Sequence, residues 1–309
     1  MNASLRTAYG EALVELGRTD ERIVVLDADL CKSTMGALFE NAYPDRFFEM
    51  GIAEANMASV AAGLSLTGKI PFIASFAVFA TGRCYDQIRT NICIPALNVK
   101  ICGSSAGLSD FGDGSTHQSI DDIALMRVLP GMQVFSPVDA VQTTQIVKYM
   151  AASEGPMYIR INRNDLPVLT PTKQEFKPGK VYTMRDGSDV GVFATGMMVS
   201  IALKAADELA KSGLQAKVLN VPSIKPIDEA SVLAICEEVK AIVTVEEHSI
   251  YGGLGDAISA VVAPKITRKH IRVGIQDAFG TSAHNYPELL EHYGLIPETI
   301  INAAKEALI

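Results

Sequence analysis

Groups that can move protons are concentrated in one glycine-rich segment, GLSDFGDGSTHQ, which runs from Gly107 to Gln118 in this chain of 309 residues. The segment holds three glycines, two aspartates, a Ser/Thr pair and one histidine. A lone histidine in a loop is usually only a satisfied surface residue. Here His117 follows Asp113 by four positions and Ser115 by two, in a loop that comes after a predicted strand. This setting favours Asp113 and His117 as groups for acid/base chemistry.

Glu54 is the single charged residue between Gly51 and Leu64, a stretch that is otherwise mostly small or apolar. Its ordinary interpretation is a first-turn helix acid that the helix dipole favours. The functional interpretation is a buried carboxylate that hydrogen-bonds the nitrogen of a ligand ring. A buried charge needs a partner of this kind because an unpaired one is costly. The residues alone leave both interpretations open.

Two aromatic residues, Phe76 and Phe79, lie three positions apart in the segment SFAVF. Core packing is the more common role for either ring alone. If the segment forms the mouth of a strand-to-helix turn, the same two rings can stack on a flat heteroaromatic ligand.

Strands and helices are predicted to alternate along the whole chain, which is typical of parallel α/β sheets. Short β-rich runs such as RIVVLDAD, KIPFIASF, LNVKICG and MYIRIN predict the strands. The carboxyl ends of parallel strands share one edge of a sheet, and ligands bind there. We therefore expect the polar clusters that follow these strands to line one edge: Asp27 and Asp29, Gly51 to Glu54, Phe76 and Phe79, Gly103 to Gln118, and Arg160 and Arg163.

The alternation lapses between Asn164 and Asp189, where three prolines and Gly179 indicate a segment that crosses a surface. The pattern then resumes to the end of the chain. The sequence therefore predicts an α/β domain at residues 1–165, a linker at 166–187 and a second, smaller α/β domain at 188–309.

The composition argues against several classes of function. The net charge is −8 and there is no run of Lys or Arg, which disfavours nucleic acid and anionic membranes as partners. The apolar stretch from Ala61 to Ala80 is broken by Lys69 and Pro71, so no transmembrane helix is expected. Five cysteines without a C-x-x-C pair indicate reduced thiols in a cytoplasmic protein, with no metal site or disulfide framework.

A glycine-rich segment near the C-terminus, EEHSIYGGLGDAI, follows a predicted strand and opens a predicted helix. It fails the dinucleotide-binding pattern G-x-G-x-x-G, because the last position counted from Gly253 is Ile258. Glycines that allow close packing at a helix start are the better interpretation.

Together, the motifs resemble the pyrimidine-binding domain of transketolases, and residues 189–309 resemble the transketolase C-terminal domain. The resemblance covers essentially the whole chain and rests on an ordered set: DAD (27–29), GIAEANM (51–57), SFAVF (75–79), YDQIR (85–89), GDGSTHQ (112–118), DDIALMR (121–127) and RINR (160–163). A full-length transketolase begins with a diphosphate-binding domain, which this chain does not show. The chain therefore looks like the C-terminal subunit of a split transketolase.

The resemblance implies a role for Glu54 toward the cofactor thiamine diphosphate. Its carboxylate would hydrogen-bond the pyrimidine ring nitrogen and favour the imino tautomer, which removes the proton from the thiazolium carbon. Phe79, helped by Phe76, would stack on the pyrimidine, and Asp29 would lie near the thiazolium. Asp113 and His117 match residues that contact the hydroxyls and carbonyl of the sugar.

The resemblance also implies that Arg6, Ser33 and Arg163 hold a phosphate at the far end of the sugar, a task that suits an arginine pair. The family usually adds a histidine here, but this chain has Ser104 or Ser105 in its place. A ketose with another anionic end, such as a sulfonate, is therefore conceivable. A second departure is one extra residue in FATGRCYDQ, so the third aromatic residue of the family's pyrimidine pocket has no clear counterpart in this segment.

No metal site is expected in this chain. Gly-Asp-Gly at residues 112–114 would open a magnesium site if an asparagine followed about 30 residues later within one βαβ unit. The next asparagine is Asn162, which is much too far. By resemblance, a separate N-terminal subunit would hold the diphosphate and its Mg²⁺ or other divalent metal. Self-association of the present chain would then give an α2β2 assembly.

The function that the resemblance implies is transfer of a two-carbon ketol unit from a ketose to an aldose. Three alternatives stay open: the β-subunit of a 2-oxo acid dehydrogenase, an enzyme like 1-deoxyxylulose-phosphate synthase, and a non-catalytic scaffold subunit. The polar loop GDGSTHQ favours sugar chemistry over the first. Glu54, Asp113 and His117 together argue against the last.

Overall fold

Two sheets of buried strands organise the chain, which is described by a computed structural model over residues 1–171 and 173–309. The strands are β1 (Asn2–Ser4), β2 (Ile23–Asp27), β3 (Phe47–Glu49), β4 (Ile70–Phe76), β5 (Lys100–Ser104), β6 (Gln133–Phe135), β7 (Met157–Arg160), β8 (Asp165–Pro167), β9 (Tyr182–Arg185), β10 (Val190–Ala194), β11 (Ala216–Asn220), β12 (Ser223–Lys225), β13 (Ala241–Ser249) and β14 (His270–Ile275).

Helices connect these strands and cover both faces of the sheets. They are α1 (Leu5–Thr19), α2 (Cys31–Thr34), α3 (Ala37–Ala42), α4 (Glu54–Leu66), α5 (Tyr85–Gln87), α6 (Asp122–Val128), α7 (Ala140–Ala152), α8 (Met198–Lys211), α9 (Glu229–Glu238), α10 (Leu254–Val262), α11 (Tyr286–His292) and α12 (Pro297–Ala307). Two 3₁₀ turns (Pro44–Arg46 and Gly114–Thr116) and two π-helical turns (Val78–Arg83 and Ile88–Cys93) complete the set.

The first sheet has seven strands in the order β12-β6-β7-β5-β4-β2-β3. All neighbours are parallel except the edge pair β12 and β6. The inner strands β2 and β4 are buried along their whole length, as expected for a sheet that helices cover on both faces. The second sheet has five strands in the order β14-β13-β10-β11-β9, with only β9 antiparallel. The predicted fold class, two α/β units built on parallel sheets, is confirmed with one antiparallel edge strand in each.

Part of the predicted linker at 166–187 forms strands, β8 in a separate two-stranded sheet and β9 in the second sheet. The short strand β8 pairs with β1 at the N-terminus, and β9 forms the edge of the second sheet. Proline-rich sequence obscured both strands, because the prolines and turn residues around them read as a loop. The division into domains at residues 165 and 188 stays a prediction.

One strand from the second half of the sequence completes the first sheet. After β11 the chain crosses over, and β12 pairs antiparallel with β6, with Ser223 opposite Phe135. The Lys225 ammonium then donates hydrogen bonds to the carbonyls of Arg127 (2.9 Å) and Leu129 (2.6 Å) at the end of α6. The second half of the chain thus supplies part of the backbone pairing of the first sheet.

A buried polar network joins the two halves behind the sheet edge. Arg160 at the end of β7 forms a two-point ion pair with Asp122 at the start of α6, through Nε–Oδ2 (2.8 Å) and Nη2–Oδ1 (3.1 Å). The Tyr158 hydroxyl donates to the same carboxylate at 2.7 Å. Arg160 also donates to the carbonyl of Glu247 on β13 at 3.0 Å. The Asp122 side chain is fully buried and that of Arg160 nearly so, so the pair is removed from water.

In the described part of the chain, no helix has both the length and the apolar character needed to cross a membrane.

Candidate active site

Five adjacent parallel strands end at one edge of the first sheet, and predicted site residues follow each of them. In the order of the sheet, Arg163 follows β7, Ser105 and the loop of His117 follow β5, Phe79 follows β4, Asp29 follows β2 and Glu54 follows β3. The topology meets the expectation of a shared edge for these residues, because the five strands run parallel. Asp27 and Arg160 were expected there too, but both are buried.

Glu54 is compatible with both interpretations that the sequence left open. It is the first residue of α4, and its side chain is only 3% exposed. Its Oε1 atom accepts a hydrogen bond from Nη1 of Arg83 at 3.0 Å. The Arg83 side chain is half exposed, and its guanidinium lies 4.4 Å from the centre of the Phe79 ring. A flat, cationic donor therefore lies between the buried carboxylate and an aromatic face.

Two phenylalanine rings and one histidine form a cluster beside this pair. The rings of Phe76 and Phe79 are nearly parallel, with centroids 6.2 Å apart. His117 meets both rings edge-on, at 6.2 Å from Phe76 and 5.3 Å from Phe79. Phe79 is not a core residue alone, because it is only half-buried and the Arg83 guanidinium lies over the face of its ring.

The segment FATGRCYDQ, in which the resemblance indicates one extra residue, contains a π-helical turn at Val78–Arg83. A π turn takes up one more residue than an α-helical turn and is frequent at functional sites. Arg83 is the last residue of this turn, and its guanidinium contacts Glu54. The sequence marked the insertion, but it gave no sign of the ion pair.

The loop that carries His117 is held in place by the C-terminal half of the chain. The backbone N–H of Leu108 donates to Oε1 of Glu247 at 2.8 Å, and Nε2 of Gln118 donates to the carbonyl of Thr281 at 2.9 Å. Gly114 has a φ of +74°, and a Cβ atom there would lie 2.3 Å from the Ser282 hydroxyl. A glycine is therefore required for both conformation and space.

Glu247 lies in a run of three buried ionisable residues, Glu246 to His248, within β13. Burial raises the pKa of Glu247, while Arg160 and hydrogen bonds from Tyr286 and other donors act in the opposite direction. Sequence analysis missed this residue. The signal that could have found it is the run EEH inside a strand pattern, since buried strands rarely carry ionisable residues without a partner.

Three charged side chains meet beyond Phe76. The Arg163 guanidinium lies 5.7 Å from the centre of the Phe76 ring, and its Nη1 is paired with Oδ2 of Asp110 at 2.9 Å. Nη1 of Arg6 donates to the carbonyl of Ser33 at 2.9 Å. Burial, and then the nearby charge of Arg163, lower the pKa of Arg6. Asp110 lies in the loop that sequence analysis singled out, but no role was assigned to it.

Two polar groups at this end are buried and unsatisfied. The hydroxyl of Ser105 and the Nε of Arg6 make no hydrogen bond with the residues that the structure describes. Ser105 is fully buried and has a φ of +51°, in the left-handed region that residues other than glycine rarely adopt. Strained backbone of this kind clusters at ligand sites. Both groups are available to a ligand that brings hydrogen-bond partners.

Asp29 lies at the opposite end of the edge, near Glu54. It is exposed and has a φ of +60°. Oε1 of Glu49 accepts from the backbone N–H groups of Asp29 (2.7 Å) and Gly51 (2.9 Å), which ties the loops after β2 and β3 together. Asp113 is also exposed, in the turn that precedes His117.

A continuous series of contacts therefore joins most of the predicted residues. It runs from Glu54 through Arg83 to Phe79, then through His117 and Phe76 to Arg163, with Asp110 and Arg6 at its end. Ser33 meets this series through its carbonyl, whereas Asp29 and Asp113 lie beside it. Within residues 1–171 and 173–309, no cluster of three His, Cys, Asp or Glu side chains could hold a metal ion.

Asp27 is buried behind Asp29, and its ionisation gives a testable pH dependence. Burial raises the pKa of Asp27 from 3.8 to about 7, against hydrogen bonds from Thr34 and Leu30 that favour the charged form. The folded chain therefore keeps this proton up to about pH 7, whereas the unfolded chain releases it near 3.8. The folded state binds more protons across that window, so the free energy of unfolding should fall as pH rises through it.

Asp27→Asn removes this titration and keeps the shape of the side chain. Between about pH 4 and 7.5 we expect the wild type to lose about 3–4 kcal/mol more stability than the variant, because one bound proton corresponds to about 1.4 kcal/mol per pH unit. Urea unfolding at several pH values measures the difference. Parallel curves for the two proteins would show that Asp27 is ionised in the folded chain.

Comparisons with known proteins agree with this architecture. Residues 1–168 match the family described as transketolase, pyrimidine binding domain, and residues 179–300 match transketolase, C-terminal domain. The chain is 42% identical to the 6-deoxy-6-sulfo-D-fructose transketolase subunit of Clostridium sp. (strain MSTE9), over 98% of this chain and 94% of that protein. It is 36% identical to one subunit of the apulose-4-phosphate transketolase of Phocaeicola vulgatus, over 97% of this chain and 96% of that protein.

One solved structure is similar along its whole length. It is described as a split gene transketolase, inactive beta4 tetramer, and it is 46% identical with a TM-score of 0.90. The similarity covers 100% of this chain and 99% of that one.

Proposed function

Because the chain belongs to the transketolase family, we propose that it is the C-terminal subunit of a thiamine-diphosphate-dependent enzyme that transfers a two-carbon ketol unit from a ketose to an aldose. The observation that carries the proposal is the buried carboxylate of Glu54, which faces a flat cationic group stacked on Phe79. A carboxylate and an aromatic face in this arrangement suit the aminopyrimidine of the cofactor.

The fit can be judged from Arg83. A guanidinium is planar and donates hydrogen bonds in its own plane, as an aminopyrimidine does. It lies 4.4 Å from the Phe79 ring centre and donates to Glu54 at 3.0 Å. The space between these two residues therefore accepts a flat, hydrogen-bonding group. Glu54, Phe79 and Phe76 would hold the pyrimidine, and Asp29 would lie toward the thiazolium side.

Bound thiamine diphosphate supplies a nucleophilic carbon that can cleave the bond next to a ketose carbonyl. Glu54, whose own side chain is buried, would hold a proton at the pyrimidine nitrogen. His117 and Asp113 would exchange protons with the hydroxyls and the carbonyl oxygen of the sugar. The edge contacts of His117 with both phenylalanine rings fix the orientation of its imidazole.

The distal end of the sugar would lie against Arg6, Arg163, Ser33 and Ser105. Two guanidinium groups and the unsatisfied hydroxyl of Ser105 suit an anion with several oxygens. The two relatives described above are named for a sulfonated ketose and for a phosphorylated one. We therefore propose a ketose with an anionic end, either a phosphate or a sulfonate.

A partner is part of the proposal. A separate N-terminal subunit would hold the diphosphate and its Mg²⁺ or other divalent metal, and pairing of the present chain with itself would give an α2β2 assembly in the cytoplasm. Relatives of nearly the same length are named as subunits. The similar solved structure is described as an inactive beta4 tetramer.

The first test is the activity of the purified chain. Alone, it should show no ketol transfer and little binding of thiamine diphosphate by calorimetry, because half of the cofactor site lies on the partner. Addition of the N-terminal subunit, for which the neighbouring reading frame is the first candidate, should produce both. The assay should offer phosphorylated and sulfonated ketoses as donors. Full turnover by the chain alone would contradict the proposed division of the site.

Arg163→Ala should weaken the binding of ketoses with an anionic end. Loss of a charge-assisted hydrogen bond corresponds to about 1.5–3 kcal/mol, so KM should rise by about 10- to 100-fold. A four-carbon ketose without an anionic group should be affected much less. Since the variant leaves Asp110 without its ion-pair partner, a thermal unfolding curve must show that the fold survives. Equal losses for both donors would indicate a structural role for Arg163.

A further inference from the structure

We propose that Asp110 sets the selectivity of the site for the anionic end of the substrate. Through its ion pair with Arg163, it favours a ketose with a singly charged end, such as a sulfonate, over one with a doubly charged phosphate. This inference rests on the proposed function, because it concerns the distal end of the proposed substrate site.

The starting observation is an acid inside a site for anions. Asp110 is 4% exposed, and its Oδ2 is 2.9 Å from Nη1 of Arg163. The two guanidinium groups of Arg6 and Arg163 would suit a dianion if they stood alone. With Asp110 ionised, the three side chains carry one net positive charge. One net positive charge balances a monoanion and leaves a dianion with an uncompensated charge.

Burial strengthens this effect. Asp110 and half-buried Arg6 lie where water screens charges poorly, so repulsion between the Asp110 carboxylate and a second ligand charge is not lost to solvent. Burial raises the pKa of Asp110, while Arg163 acts in the opposite direction and Asp113 adds to the increase. The second negative charge of a dianionic ligand would therefore be repelled by Asp110 and also by the nearby Asp113.

The hydrogen-bond donors that remain free at the site also fit a monoanion. A sulfonate has three oxygens and a single negative charge at every physiological pH. A phosphate monoester near pH 7 carries about 1.5 to 2 negative charges. The unsatisfied hydroxyl of Ser105 and Nε–H of Arg6 can each donate one hydrogen bond. The Ser105 hydroxyl is uncharged and the charge of Arg6 is already counted, so neither donor supplies the second net positive charge that a phosphate dianion requires.

Asp165 provides a matched control. Like Asp110, it lies near Arg6, and its charge acts on that guanidinium more strongly than the charge of Asp110 does, yet Asp165 is exposed to solvent. Asp110 is buried and paired with Arg163, so if this ion pair sets the selectivity, removal of Asp165 should alter it less than removal of Asp110. The comparison of the two acids separates a local effect of Asp110 from a general change in surface charge.

The experiment uses the assembled complex of this chain with its N-terminal subunit. The kcat/KM is measured with one acceptor and with the same six-carbon ketose that carries either a sulfonate or a phosphate at its far end. The wild type should prefer the sulfonated donor. Asp110→Asn should shift the ratio about tenfold toward the phosphorylated donor, as expected for one partly screened charge a few ångströms away. Asp165→Asn removes an equal charge near Arg6 but leaves the Asp110–Arg163 pair intact, so it should change the ratio clearly less than Asp110→Asn does.

Each other outcome overturns a defined claim. Preference of the wild type for the phosphorylated donor overturns the inference without any variant, so it stays testable even if Asp110→Asn does not fold. An unchanged ratio in a folded Asp110→Asn complex, or an equal shift in Asp165→Asn, overturns it as well. If the complex transfers no ketol unit from the sulfonated, the phosphorylated or an uncharged ketose, the proposed function is overturned together with the inference.

Discussion

Replacement of Glu54 by alanine should slow proton–deuterium exchange at the thiazolium carbon of thiamine diphosphate by about 10²–10⁴-fold in the assembled complex. The carboxylate is proposed to act on the cofactor before any sugar arrives, so the loss should be the same whichever donor is used. Exchange at this carbon is followed by NMR in the absence of substrate, which separates the effect from sugar binding.

The fold should tolerate this change. Glu54 is the first residue of α4, and alanine is a good helix former. Arg83 loses its partner, but its half-exposed side chain can turn to water. Glu54→Gln is the matched variant, since it keeps size and hydrogen bonding but removes the charge. Glu11→Ala, an exposed acid on α1, controls for a general change of charge. A normal exchange rate in a folded Glu54→Ala complex would contradict the proposed role of Glu54 toward the cofactor, and Glu54 would then be an ordinary first-turn helix acid.

Arg160→Met should lower the free energy of unfolding by about 3–5 kcal/mol, which is the typical cost of leaving one member of a buried ion pair alone. Asp122 is fully buried and would keep only the hydrogen bond from the Tyr158 hydroxyl. The loss of the hydrogen bond from Arg160 to the Glu247 carbonyl adds to the effect. Urea unfolding of the purified chain measures it.

A double variant shows whether the cost comes from the unpaired charge. Asp122→Asn combined with Arg160→Met removes the buried charge, so part of the lost stability should return. Arg22→Met breaks an exposed ion pair with Asp20 and should cost less than about 1 kcal/mol. Equal losses for Arg160→Met and Arg22→Met would mean that the buried pair contributes no more than a surface one.

The position of the site followed from the sequence because it depends on local patterns. Strand-like runs that end in polar residues placed Asp29, Phe79 and Arg163 at one sheet edge, since parallel strands present their carboxyl ends together. The family resemblance identified the same residues. What the sequence could not supply is the partner of each side chain, because a partner is set by tertiary contacts.

Arg83 and Asp110 illustrate this limit. Arg83 pairs with a residue 29 positions away, and its placement depends on a π-helical turn that no hydrophobic period reveals. Asp110 pairs with Arg163 across 53 positions. In the sequence it was one of two acids in a loop, and only Asp113 fell within a recognisable motif. The strand β12 was missed for a related reason, because three residues next to prolines give no strand pattern.

The crossing of β12 into the first sheet has a consequence for how this protein can be divided. A genetic break between residues 165 and 188 would separate β6 from β12 and leave an open strand edge, which invites aggregation. The first piece would also lose the two hydrogen bonds from Lys225 that close the end of α6. The second half of the chain thus contributes a strand to the sheet of the first half. A break at this junction would therefore divide the first sheet between two chains.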